Sequence, residues 1–212
     1  MTTALFFKIL MWLAQLAGVI FAIIYWKYYK NTNQRYFLQL IILIFLSEIL
    51  STTLKEVYGI PNYFIYNILS FVTQLFYLIW FYKISDEKFI LKVGILIYGL
   101  SVIYCLIFNS FLGGLYKMMW YTGAILILFN AIFYFNKILK KDEIIYYQKN
   151  QVFWIVTGLL IYHLGYLPLL FFIDVELFKS NTLYYRIPVL LLNLVLYGCF
   201  IKSFLCSKTQ KT

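Results

Sequence analysis

Apolar residues in this chain fall in long unbroken runs, not in alternation and not in one-sided stripes. The windows 9–26, 57–82, 93–116, 118–136 and 150–173 contain no Asp, Glu, Lys or Arg. Two further apolar stretches, 36–56 and 183–204, carry Glu48 and Arg186 inside or at the edge. A lipid core about 30 Å thick is crossed by about 20 apolar residues in helix. The pattern therefore predicts seven transmembrane helices, at about 6–27, 36–56, 62–83, 88–108, 115–137, 150–173 and 183–204. The ten-residue alternating segments of a membrane β-barrel do not occur. The expected fold class is all-α: a polytopic membrane protein whose residues 1–212 form one domain, a single seven-helix transmembrane bundle.

Composition fits lipid as the solvent. Hydrophobic residues make up 64% and charged residues 12%, with 21 Phe and 21 Tyr, too little charge to cover a water-soluble fold of this size. The net charge of +10 is read as topology and not as a nucleic-acid footprint, because the Lys and Arg residues sit at helix ends and in short loops. Lys8 stands ahead of the first apolar run. That run is long, lacks a small-x-small cleavage site and leads into WKYYKNTNQR, so it reads as a retained first span. Cys105, Cys199 and Cys206 form no CxxC and no Cys/His cluster. They are packing residues, and no metal or disulfide framework is expected.

Positive charge sets the threading. Lys27, Lys30 and Arg35 follow span one; Lys83, Lys88 and Lys92 follow span three, with Asp86 and Glu87. Lys137, Lys140, Lys141 and Lys149 follow span five, and Lys202, Lys208 and Lys211 close span seven. The alternate connections hold only Lys8, Lys55, Lys117, Lys179 and Arg186. Cytoplasmic segments are the ones enriched in Lys and Arg. The expected placement is a bacterial inner (cytoplasmic) membrane, with the amino terminus outside and the carboxyl terminus inside. Short connections, Gly59-Ile60-Pro61-Asn62 among them, with 109–114 and 174–182, imply that sequential helices pack side by side.

Polar residues inside the spans are the candidate site. Taking Glu56 as the outer end of span two, Glu48 lies about 12 Å deep. A carboxyl there needs an interior, a partner or a proton, and Ser51 and Thr52 extend its face. In span three Tyr63, Asn67, Ser70, Gln74 and Tyr77 recur at steps of four and three and share one face, lining either a cavity or a hydrogen-bonded helix seam. His163 is the only histidine; its side chain both donates and accepts, and its unperturbed pKa lies nearest physiological pH. It is either a satisfied packing residue or a working group. Pro168 and Pro188 mark bends in the last two spans. Asn193, with Tyr197 one turn further in, is the polar group of span seven, and Asn130 in span five reads as an interhelical contact. By helical rise, Asn67, Glu48, His163 and Asn193 all lie about 7–15 Å from the outer boundary. Such a level suits an outward-opening pocket, a transport midpoint, or one buried hydrogen-bond network.

Several chemistries are missing from the sequence. It has no Gly-rich phosphate loop, HExxH or GxSxG. Lys202 lies too near the edge of span seven to serve as a retinal Schiff base, and the Pro-Gln pair of small seven-span sugar transporters does not occur. Tyr66-Asn67, then Ser70, then Gln74-Leu75-Phe76-Tyr77, among aromatic-rich spans and short basic loops, resembles small uncharacterised seven-span inner-membrane proteins of flavobacteria-like bacteria. The resemblance implies location and carries no activity.

The first functional expectation is a non-enzymatic membrane protein. It would sense a small ligand, or bind a partner's transmembrane helix, through an outer-half polar pocket and signal to a separate protein. The alternative is a small proton-coupled secondary transporter using Glu48 and His163. A third class is a lipid-modifying membrane enzyme. The expected partners are the lipid bilayer and either a membrane protein or a small ligand; no nucleic acid, cofactor or metal is expected. The threading is checked with reporters that fluoresce only in the cytoplasm. Fusions after Thr212 and after Asp142 should be bright and a fusion at Gly59 dark, and a dark, stable, full-length fusion after Thr212 would reverse the orientation.

Overall fold

A computed structural model describes residues 3–110, 113–140, 144–172 and 183–209. The described elements are helical throughout: α1 (Thr3–Tyr29), α2 (Phe37–Tyr58), α3 (Tyr63–Ile84), α4 (Lys88–Phe108), α5 (Lys117–Leu139), a 3-10 helix (Ile144–Lys149), α6 (Gln151–Phe172) and α7 (Leu183–Thr209). Seven of them are long and apolar enough to cross a membrane. In hydrocarbon every backbone amide and carbonyl must be paired within the segment, and a helix does this unaided. Outward-facing apolar residues such as Leu96, Leu100 and Ile107 on α4 are exposed, which matches a lipid solvent. The protein is a multi-pass integral membrane protein of all-α class.

The helices start and stop close to the predicted span limits. The largest difference is at the end of α7, which continues to Thr209 beyond the predicted 204. Ser203 and Ser207 bond to the carbonyls of Phe200 and Phe204 at 2.7 and 2.6 Å, so these two hydroxyls are paired within the helix. The connection 174–182, and residues 111–112 of the predicted turn 109–114, lie outside the described residues.

Two compact units make up the chain, 1–41 with 131–212 and 42–130, and their boundaries fall inside α2 and α5. In the first unit α7 packs against both α1 and α6. Tyr29 stacks on Phe204 with ring centroids 5.1 Å apart, and Phe37 meets Phe200 edge-on at 5.7 Å. Tyr197 lies over Gly18, where an added methyl would come 3.1 Å from its ring. Against α6, Gly158 faces Cys199 and Gly165 faces Leu192; added methyls would meet their side-chain atoms at 2.8 and 2.5 Å. Both pairs are spaced by seven residues, the repeat of an antiparallel helix seam. Lipid supplies no hydrophobic push between helices, so close backbone approach at small residues provides the attraction. The 3-10 helix is pinned to both partners, because the Gln148 carbonyl accepts from Trp154 Nε1 at 2.7 Å and from Cys206 Sγ at 3.5 Å.

The second unit begins with a helical hairpin. Gly59 turns it at φ 66°, a left-handed conformation that side chains with a Cβ adopt at a cost. Asn62 Nδ2 then donates to Ser51 Oγ at 2.7 Å across the hairpin. On α4 Tyr98 stacks on Phe71 of α3 with centroids 6.4 Å apart. Gly123 of α5 receives the amide of Gln74, whose Oε1 lies 1.9 Å from where a methyl on that glycine would sit.

The seam on α6 yields a test. Gly158→Val should destabilise the protein by about 1–3 kcal/mol, the usual range for overpacking. Gly198→Ala, on α7 with nothing within 4 Å of the added methyl, should keep stability or raise it by up to about 1 kcal/mol. Denaturant titration of helicity in mixed micelles measures both, and equal midpoints for the two variants would contradict the seam.

Candidate functional site

Side-chain donors in these helices settle first on their own backbone. Thr53, Thr122 and Thr157 donate to the carbonyls of Ile49, Met118 and Phe153, each four residues earlier, at 2.8–2.9 Å. A carbonyl has two lone pairs and accepts the hydroxyl besides its helical amide. The candidate residues fall into two sets, one in each unit.

In the second unit, Glu48 is half-buried on α2 and accepts a hydrogen bond from the Tyr66 hydroxyl of α3 at 3.2 Å. Three positions further along α2, Ser51 takes up Asn62. The first polar bonds between α2 and α3 thus form a seam that ends at the Gly59 turn. Asn67 is 2% exposed and uses its amide in two directions. Its Nδ2 donates to the Gly114 carbonyl at 3.0 Å, and its Oδ1 accepts from the Tyr116 amide at 2.9 Å. A side-chain amide has the same donor and acceptor as a peptide, so Asn67 acts as one rung of backbone pairing for the segment that enters α5.

Gln74 follows seven residues later on the same face. Its Nε2 donates to the Trp120 carbonyl at 3.4 Å, and its carbonyl end presses on Gly123. The polar face expected on α3 is thus a seam where Asn67 and Gln74 stand, and Ser70 and Tyr77 are buried with them. Tyr63 departs from the expectation. It is 42% exposed, because it is the first residue of α3 and has no preceding turn to cover it.

In the first unit, His163 is 5% exposed, and its Nδ1 lies 2.8 Å from the Leu159 carbonyl. A carbonyl only accepts, so the proton is on Nδ1. Asn193 repeats this on α7, with Nδ2 donating to the Val189 carbonyl at 2.8 Å. Asn130, expected as an interhelical contact, donates to Leu126 of its own helix at 2.7 Å. The two prolines lie within continuous α6 and α7. Pro168 has no amide to give the Leu164 carbonyl.

Around Pro168 an aromatic cluster forms. Tyr162 meets His163 edge-on at 5.2 Å and stacks on Tyr166 at 5.4 Å, and the hydroxyls of Tyr166 and Tyr185 are 3.1 Å apart. That last contact joins α6 to α7. Tyr197 is buried against Gly18 and turns an edge to Phe200.

Sequence reasoning did not single out Gln15 and Gln151, each 1% exposed, or the glycines that receive Gln74, Cys199 and Leu192. The signals were present: a lone Gln in the charge-free window 9–26, and Gly158 and Gly165 seven apart in one span. Among the described residues no group of three or more His, Cys, Asp or Glu is placed to hold a metal. No protein-family model, curated protein or solved structure matches the chain.

This geometry ranks the substitutions. Asn67→Leu strands the Tyr116 amide and the Gly114 carbonyl and should cost about 2 kcal/mol or more. Asn193→Leu removes a second bond from a carbonyl and should cost about 0.6 kcal/mol. Glu48→Gln keeps an acceptor for Tyr66 and should fold normally, whereas Glu48→Leu strands that hydroxyl and should lower the unfolding midpoint. Denaturant titrations of the four variants check the order, which fails if Asn193→Leu proves as damaging as Asn67→Leu.

Proposed function

We propose that this integral membrane protein is non-enzymatic, that a small ligand or a partner's transmembrane helix engages polar groups in the outer half of its helices, and that the engaged state passes along the helices to a separate protein. The α6–α7 pair carries this reading. The two helices pack together, with a hydroxyl contact between Tyr166 and Tyr185 near one end and the pinned Gln148 carbonyl near the other. Between them the pair packs through glycine notches with Pro188 in α7, and Pro168 of α6 lies just past the Tyr166 contact. Helix shifts of about 1–2 Å at packed interfaces are a common switching motion. In the orientation that the charge pattern favours, the hydroxyl contact faces outward and the basic loops meet a cytoplasmic protein. The likeness to small inner-membrane proteins of flavobacteria-like bacteria agrees with that setting.

A second reading, a small proton-coupled transporter, rests on the Glu48–Tyr66 pair. A half-buried carboxyl hydrogen-bonded to a phenol inside a span is the sort of group that coupled transport uses.

Two measurements separate the readings. Purification from native membranes should give a stoichiometric partner protein, with no solute flux in proteoliposomes. Uptake driven by a pH gradient and abolished by Glu48→Gln would instead establish the transporter. Lipid turnover lost in His163→Ala would overturn both readings.

A further inference from the structure

The basic end of the first unit gathers cations from three elements. Lys137 lies in the last turn of α5, Lys149 closes the 3-10 helix, and Lys202 and Lys208 stand on the last turns of α7; all four are exposed. Aromatic and hydrogen-bond contacts hold these elements together. Phe135 of α5 meets Phe153 of α6 edge-on at 5.7 Å, and the Gln148 carbonyl ties the 3-10 helix to α6 and α7. Asp142 and Glu143 belong to the same connection and lie outside the described residues; the connection from Lys137 to Lys149 holds four lysines against these two acids.

Within this cluster one cation has a defined seat. Lys202 Nζ lies 5.9 Å from the centre of the Trp154 ring, and the indole is itself fixed by its bond to Gln148. Tryptophan prefers the level where acyl chains meet headgroups. A lysine held over it presents its charge at phosphate height, while the ring lies along the glycerol and upper acyl region. An acidic protein surface would answer the charge alone and leave the interfacial indole unused. An anionic lipid brings charge and apolar chain in the order in which Lys202 and Trp154 stand.

We propose that this end of the first unit is a binding site for the headgroup of an anionic phospholipid, with Lys202 and Lys149 supplying the charge and Trp154 the interfacial platform. The site is independent of the signalling reading above and of the orientation in the membrane. Each lysine near a surface contributes attraction equivalent to about a fivefold change in lipid binding.

The test is competitive retention. The full chain is taken from equimolar phosphatidylglycerol and phosphatidylcholine nanodiscs, and native mass spectrometry counts the lipids that stay bound. The native chain should retain phosphatidylglycerol preferentially. Lys202→Gln should reduce that preference about fivefold, and Lys149→Gln with Lys202→Gln should reduce it further. Lys202→Arg keeps the charge and should stay close to native. Circular dichroism confirms that each variant folds. Equal retention of the two lipids by the native chain would overturn the proposal, as would a double variant that holds phosphatidylglycerol as well as the native chain does.

Discussion

Every polar group placed in hydrocarbon must find its partner inside the protein, because no water is there to supply one. The described side chains meet that demand in large part, although buried atoms such as Gln15 Oε1, Ser70 Oγ and Gln151 Nε2 have no hydrogen-bond partner among the described residues. Most donors turn to a carbonyl one helical turn back: threonines 53, 122 and 157, serines 203 and 207, Asn130, His163 and Asn193 all do so. A bond of this kind satisfies its donor without help from the neighbouring helix. Other groups reach beyond their own helix, and they shape how each unit is assembled.

The two units are held by different means. In the second, amides and a carboxyl join helices: Asn62 to Ser51, Tyr66 to Glu48, Asn67 to the entry of α5, and Gln74 to the turn of Trp120. Such bonds fix register, because an amide that loses its partner in lipid is costly. Beside the Tyr166–Tyr185 hydroxyl contact and the bonds to the Gln148 carbonyl, the first unit packs through shape. Glycines 18, 158 and 165 admit Tyr197, Cys199 and Leu192, and aromatic rings of α1, α2 and α7 stack alongside. Contacts of that kind are worth a great deal when close and impose little direction. This difference in material is why the proposed motion is placed in α6 and α7.

Much of the architecture was legible in the sequence because membrane thickness is a ruler. Runs of about 20 apolar residues have one economical conformation, and the helices end within a few residues of where charge and turn residues resume. The stripe on α3 was legible too, since steps of three and four fix a face whatever that face meets. What the stripe would meet was not. Asn67 finds the backbone of residues 114–116, some 47–49 positions away, and no local pattern encodes that distance. His163 and Asn193 stood at the same depth as Asn67, each a polar residue well inside a span. Their side chains bend back to their own helices, a rotamer choice made by neighbours that periodicity does not see. The glycine notches were legible only as spacing, because a glycine records that something comes close without recording what.

The order of assembly follows from which helices α7 joins. Residues 42–130 are contiguous, so that unit has all its parts once the chain has grown past α5. The other unit closes only when α7, at Leu183–Thr209, reaches α1, at Thr3–Tyr29. At synthesis rates of about 5–20 residues per second, α1 is in the membrane for roughly ten to forty seconds before its partner exists. During that interval the face holding Gln15 and Gly18 lacks the Tyr197 contact that α7 brings. A chaperone or insertase that shelters a newly made first helix would thus be needed by this protein for longer than by one whose α1 packs on α2.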